Sequence, residues 1–208
     1  MSDVWPRMFA SVAHLDSASV VRAILQDSER RRRFADYDTG SVTGFEAFCL
    51  LALVQACQAR VVIEVGTFIG VSTRALALGA LVRAVYTCDA SNDCVPPTDV
   101  IRPYPKRSST AMLQDLVRLE VRADVCFFDG VLREGDADLL MRVTHPDTVY
   151  AFHDYNYGPK LRKGGRLETV PRKGIGNVHV LRPLLPTHVL IDPQPETTLA
   201  VLVPESLR

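Results

Sequence analysis

From residue 61 onward the chain alternates short apolar runs with stretches of helical periodicity, and no other feature constrains its fold as strongly. "VVIEV", "AVYTCDA", "ADVCFFDG" and "DTVYAFHDY" read as strands. Helices over residues 72–81, "SSTAMLQDLVRL" and "EGDADLLMRVT" separate them. Strands that are apolar along their whole length are buried on both faces, which predicts a mainly parallel sheet covered by helices on each side. The basic, glycine-containing stretch "GPKLRKGGRLETVPRKGIG" reads as a loop, and "IGNVHVLRPLL" as a short helix. "THVLIDP" and "TTLAVLVP", joined by "QPET", read as a closing antiparallel hairpin. Ahead of the first strand, "DSASVVRAILQDSERRRRFADY" predicts a helix capped by Asp16 or Ser17. "TGSVTGFEAFCLLALVQACQA" predicts another, capped by Ser41 or Thr43.

The length of 208 residues and the 47% hydrophobic content suit one domain with a substantial core, spanning 1–208 with residues 1–40 as an N-terminal helical extension. A formal net charge of zero gives no general attraction to nucleic acid or acidic membranes. The longest apolar run, "FCLLALVQAC", is too short to span a bilayer, and the first residues lack a signal-peptide pattern, so a cytoplasmic protein is expected. The five cysteines, Cys49, Cys57, Cys88, Cys94 and Cys126, are odd in number and show no CxxC spacing, against a disulfide framework or a zinc site. The run Arg30 to Arg33 reads as a solvated helix end.

The stretch "VVIEVGTFIGVSTRALALGA" carries the functional signal. In an open α/β sheet, ligands bind beyond the C-terminal ends of the strands, where the turn after Val65 is expected. Gly66 and Gly70 permit a tight bend and close ligand approach. Ser72 and Thr73 open a helix whose hydroxyls and free N–H groups suit a carboxylate. A dinucleotide loop holds a pyrophosphate, beside which Glu64 is unfavourable, and Phe68 stands where the middle glycine would be. The ligand should therefore carry positive charge, as S-adenosylmethionine does at its sulfonium and amino groups. Asp89 ends the next strand, about 20 residues beyond the loop, where an acid can accept hydrogen bonds from ribose hydroxyls.

"EVGTFIGVSTRALA", with the later "FFDG" and "FHDY", resembles class I S-adenosylmethionine-dependent methyltransferases. The likeness is to the branch with E-x-G-x-x-x-G-x-S, which includes catechol O-methyltransferase and bacterial small-molecule O-methyltransferases. It implies a Rossmann-like, doubly wound, mainly parallel seven-stranded sheet with a terminal antiparallel hairpin and extra N-terminal helices. It also implies a cofactor site built from Glu64, Gly66, Thr67, Gly70, Ser72, Asp89, Ala90, Ser109 and Asp129. Ser108 shares the adenine-edge position with Ser109, and Val42 is either a cofactor contact or a helix-start staple. The resemblance further implies a divalent ion such as Mg²⁺ held by Asp129 and Asp154, with His153 or Asn156 as third ligand.

Two departures from the family pattern stand out. A histidine, His153, precedes the second metal aspartate, and Leu132 occupies the place three residues after Asp129 where relatives carry a lysine or histidine base. His153 is then the best remaining general base, with Asp129 as its catalytic companion. The basic loop, with Lys160, Arg162, Lys163, Arg166, Arg172 and Lys173 against Glu168, is either a lid for an anionic acceptor or a solvated segment. Tyr155 and Tyr157 can stack on an aromatic or sugar substrate. The leading expectation is methyl transfer to a hydroxyl of a small molecule. The alternatives are an NAD-dependent oxidoreductase and a non-catalytic nucleoside-binding or scaffold protein. A homodimer through the N-terminal helices or the final hairpin is a further expectation.

Overall fold

Nine strands follow one another along the chain: β1 (Val61–Val65), β2 (Ala84–Asp89), β3 (Ile101–Pro105), β4 (Ala123–Phe128), β5 (Thr144–Phe152), β6 (Tyr157–Leu161), β7 (Leu167–Pro171), β8 (His188–Ile191) and β9 (Ala200–Pro204). The computed structural model describes residues 4–16, 19–20, 22, 42–90, 95–161, 167–193 and 197–207. Seven of these strands form one sheet in the order β3-β2-β1-β4-β5-β9-β8. β1 to β5 pair in parallel, while β9 runs antiparallel to both β5 and β8. The expected doubly wound sheet with a reversed terminal hairpin is therefore what the chain forms.

Side-chain alternation along the strands builds two cores. Val62, Val125, Phe127, Val149 and Ala151 face one layer, formed with α1 (Val4–Ser11), α2 (Gly44–Ala56) and α3 (Val71–Ala77). Ile63, Cys126, Phe128, Tyr150 and Phe152 face the other, formed with α4 (Ser109–Arg118), α5 (Asp136–Val143) and α6 (Lys173–Leu181). The rings of Phe128 and Phe152 stack at 5.4 Å across β4 and β5. α2 is apolar on nearly every side and is correspondingly buried. Its start is fixed by a capping box: Glu46 N donates to Thr43 Oγ1 at 3.2 Å, and Thr43 N donates to Glu46 Oε2 at 2.9 Å. Among the described residues no helix is long and apolar enough to cross a membrane.

The structure departs from the sequence expectations in four places. α3 ends at Ala77, not at residue 81, because the chain turns where Gly79 packs closely. A Cβ there would lie 2.6 Å from Val82 Cγ2 and 2.8 Å from Val54 Cγ2. β3, "IRPYP", was not expected; as an outer strand of the sheet it tolerates two prolines. α1 was also unexpected, with Pro6 in its first turn where the missing N–H costs nothing. The basic stretch after β5 holds the antiparallel ribbon β6–β7 in place of a loop. Most of the helix expected over 16–37, including Arg30 to Arg33, lies outside the described residues. So do Ser41, Cys94, Arg162, Lys163 and Arg166, and the side chains of Tyr157, Lys160 and Glu168.

The ends of β1, β2 and β4 are stitched by backbone bonds. Gly66 N donates to Cys88 O at 2.9 Å, and the N–H groups of Asp129 and Gly130 both donate to Val65 O, at 2.8 and 2.7 Å. Gly66 has φ +100, and a Cβ on it would meet Gly130 N at 2.6 Å and Asp129 C at 2.7 Å. Gly66→Ala should therefore destabilise the protein by about 2–4 kcal/mol, from left-handed strain plus overpacking against backbone. Urea denaturation measures this; a loss below about 0.5 kcal/mol, the range of a neutral surface change, would contradict the packing described.

Candidate functional site

β1 and β4 are neighbours, yet the chain leaves β1 toward β2 and returns at β4 on its other side. The crevice between their C-terminal ends is the switch point of the sheet. A cleft of about 430 Å³ opens there, lined by Gly66, Phe68, Asp89, Ala90, Ser109 and Asp129 among others. That volume lies within the range of small-molecule sites. Phe68 takes φ +46, a left-handed conformation uncommon for a side chain of its size, and its N–H donates to Asp89 Oδ2 at 2.9 Å. This bond holds the Asp89 carboxylate at the cleft wall. Arg107 and Arg133 also border the cleft.

Of the nine residues expected to hold a cofactor, Gly66, Asp89, Ala90, Ser109 and Asp129 line this cleft. Glu64, Thr67, Gly70 and Ser72 lie behind it. Glu64 is wholly buried, and three hydroxyls donate to its carboxylate: Ser72 to Oε1, Thr73 and Thr87 to Oε2, each at 2.5 Å. The Ser72 and Thr73 hydroxyls thus donate to Glu64 beneath the turn. Burial pushes the Glu64 carboxyl up, the three hydroxyls pull it down, and the nearby Asp129 charge adds to the rise, leaving it at about 7. Thr67 Oγ1 lies 2.5 Å from Thr87 Oγ1 and extends this network beneath the turn. Gly70, with φ +80, starts α3.

A charged rim stands beside the cleft, where β4 and β5 end. His153 is buried, with Nδ1 2.6 Å from Asp129 Oδ1 and Nε2 3.3 Å from Glu46 Oε2. Burial alone would lower the pKa of the imidazole. The hydrogen bonds to Asp129 and Glu46 outweigh it and raise the value to about 10. With both ring nitrogens facing carboxylates, His153 is held toward its protonated form. Burial would raise the Glu46 carboxyl, yet His153 and the N–H groups of Thr198 and Thr43 hold it well below the usual carboxylate range. Thr198 N and Oγ1 reach Glu46 Oε1 at 2.9 and 3.0 Å, and Thr197 Oγ1 reaches it at 3.2 Å.

Lys173, the first residue of α6, completes the rim. Its Nζ lies 2.6 Å from Asp129 Oδ1 and 3.4 Å from Asp154 Oδ2. Asp154 adopts φ +57, a strained conformation that aims its carboxylate at this point. Asp129, His153 and Asp154, the three expected metal ligands, each present an atom within 4.8 Å of the others. Asn156 is exposed beyond them.

Neighbouring positions settle into structural roles. Leu132 is buried in the second core, and its N–H donates to Asn177 Oδ1 at 3.0 Å, so no base stands at that position. Asn177 Nδ2 donates to Gly130 O at 2.8 Å and so clamps α6 to the turn after β4. Ser108 caps α4 through Ala111 N, while Ser109 Oγ donates to the buried Asp136 at 2.5 Å with its residue still at the cleft wall. Val42 is a core residue. Two residues of the rim were missed in the sequence. Glu46 had a signal, the T-x-x-E spacing of a capping box; Lys173 had none, being one cation among six in a basic stretch.

No family model matches the chain, and no curated protein matches it in sequence. Solved structures do. An O-methyltransferase from Bacillus cereus in complex with SAH is 18% identical, with a TM-score of 0.60 over 98% of this chain and 100% of that one. A putative caffeoyl-CoA O-methyltransferase from Staphylococcus aureus is 14% identical, with a TM-score of 0.59 over 91% and 99%. The O-methyltransferase TomG from Streptomyces achromogenes, in complex with SAM, is 17% identical, with a TM-score of 0.55 over 87% and 89%. The chain thus has the fold of these O-methyltransferases along almost its whole length.

The Glu64 network has a pH signature. Its carboxyl holds its proton more tightly in the fold, at about 7, than at the ordinary value of 4.5. The folded state therefore binds the extra proton between these values, and stability falls as pH rises through that window. Glu64→Gln removes the titration. The melting temperature of wild type minus variant should fall between pH 4.5 and about 7, then level off, at about 2–4 °C per kcal/mol. A difference that stays constant with pH would contradict the assignment.

Proposed function

We propose that this chain is an S-adenosylmethionine-dependent methyltransferase acting on a hydroxyl of a small molecule. The observation that carries the reading is the cleft at the switch point, with Asp89 fixed by Phe68 N–H on one side and Asp129 on the other. Asp89 suits the ribose hydroxyls, Ala90 and Ser109 suit the adenine edge, and the Gly66 turn admits the methionine portion. Glu64 acts from beneath by holding the turn, so selection of a cationic sulfur falls to Asp129 and the rim. The fold shared with SAH- and SAM-bound O-methyltransferases supports the same ligand.

The cofactor supplies the reactive methyl group; the protein supplies position and electrostatics. An acceptor hydroxyl placed at the rim releases its proton to solvent water and forms the C–O bond in line with the breaking C–S bond, whose electrons return to sulfur. Lys173, half-buried at the rim, is the cation that would stabilise the negative charge left on the acceptor oxygen as its proton departs. Mg²⁺ does not fit the rim in this arrangement, because Asp129 Oδ1 already meets Lys173 Nζ and His153 Nδ1.

Isothermal titration calorimetry with S-adenosylhomocysteine and with NAD tests the reading. Binding of the former, with Asp89→Asn weakening it by about 10- to 100-fold through lost charged hydrogen bonds, is expected. Binding of NAD alone, which the cleft arginines would favour through its phosphates, would contradict it.

A further inference from the structure

We infer that the ammonium of Lys173 takes the place of a divalent ion at the rim, so that acceptor oxygens meet a lysine N–H and no metal. This deepens the methyltransfer reading and rests on it for the word acceptor, though the cation assignment stands on geometry alone. Asp129 and Asp154, the acids expected to bind the ion, both face Lys173 Nζ, at 2.6 and 3.4 Å. Asp129 Oδ1 is shared between Lys173 and His153 Nδ1, each at 2.6 Å. A metal at that oxygen would have to displace the Lys173 ammonium and the His153 ring nitrogen. His153, the expected third ligand, has its other nitrogen turned to Glu46 at 3.3 Å. A hard dication seeks oxygen ligands in open octahedral array, and this donor set offers two carboxylates already paired.

Three local features bring the lysine there, each at a cost that a merely solvated lysine would not need. Lys173 opens α6, where the helix dipole disfavours positive charge and no acid of the first turn compensates it. Asp129 and Asp154 offset that charge from outside the helix. Gly174 follows, and a Cβ on it would lie 2.3 Å from His153 O and 2.8 Å from Tyr155 N. Only glycine lets the start of α6 press onto the backbone at the end of β5. Asp154 holds a left-handed φ of +57 on the facing side. The sequence left Lys173 in a basic stretch read either as a lid for an anionic acceptor or as a solvated segment; the geometry commits it to the two aspartates.

Mn²⁺ binding, read by electron paramagnetic resonance of the free ion, tests the inference without an acceptor in hand. The wild-type chain should leave millimolar Mn²⁺ free. Lys173→Met, which keeps length and removes charge, should gain Mn²⁺ binding by at least about tenfold, since Asp154 loses its lysine partner and Asp129 keeps only His153. Adding Asp129→Asn to it should abolish the gain. Lys173→Arg should stay metal-free. Uptake of Mn²⁺ by the wild type, lost in Asp129→Asn, would overturn the inference whatever the variants do. So would a folded Lys173→Met chain that gains none. Titrating S-adenosylhomocysteine into the same samples separates the two readings. Wild type that binds both ligands refutes the ammonium and keeps methyl transfer; wild type that binds neither supports the ammonium and refutes methyl transfer.

Discussion

The placement of His153 between Glu46 and Asp129 is the interaction on which the site depends. Buried charges are costly unless each is paired, and removing one partner of such a set is far worse than never having built it. Here every member has its partner. Glu46 closes the first turn of α2, accepts from the segment before β9, and faces His153. His153 passes the link to Asp129 at the end of β4, and Lys173 brings in α6. One line of alternating charge thus ties the N-terminal helical layer to the strand ends and to the far helical layer.

A second carboxylate layer lies beneath. Glu64 sits wholly buried in the sheet with three hydroxyl donors, and its proton affinity near neutrality follows from burial. It fixes the glycine turn from behind, while Asp89 fixes it from the front through Phe68 N–H. The turn is therefore shaped by carboxylates on both sides, and only Asp89 remains at the cleft wall.

What the sequence made legible were the elements whose physics is local. β1, β2, β4 and β5 announce themselves as apolar runs because both faces are buried, and Gly66 announces a bend because no other residue tolerates its φ. β3 was hidden by Pro103 and Pro105, which an outer strand tolerates, and β6–β7 by its charge and glycines. The rim was half legible. Asp129, His153 and Asp154 lie at strand ends and could be named together, but the partners that decide their chemistry come from elsewhere in the chain. Glu46 is a helix cap by local pattern and a counter-ion only by tertiary packing. Lys173 becomes special only because Gly174 lets α6 approach.

The most direct measurement is a crystal structure of the chain grown with S-adenosylhomocysteine and soaked in Mn²⁺, with anomalous scattering collected for manganese. The account predicts the nucleoside beside Asp89, Lys173 Nζ between Asp129 and Asp154, and no manganese peak there. A manganese ion bound by both aspartates, with the lysine swung away, would contradict it.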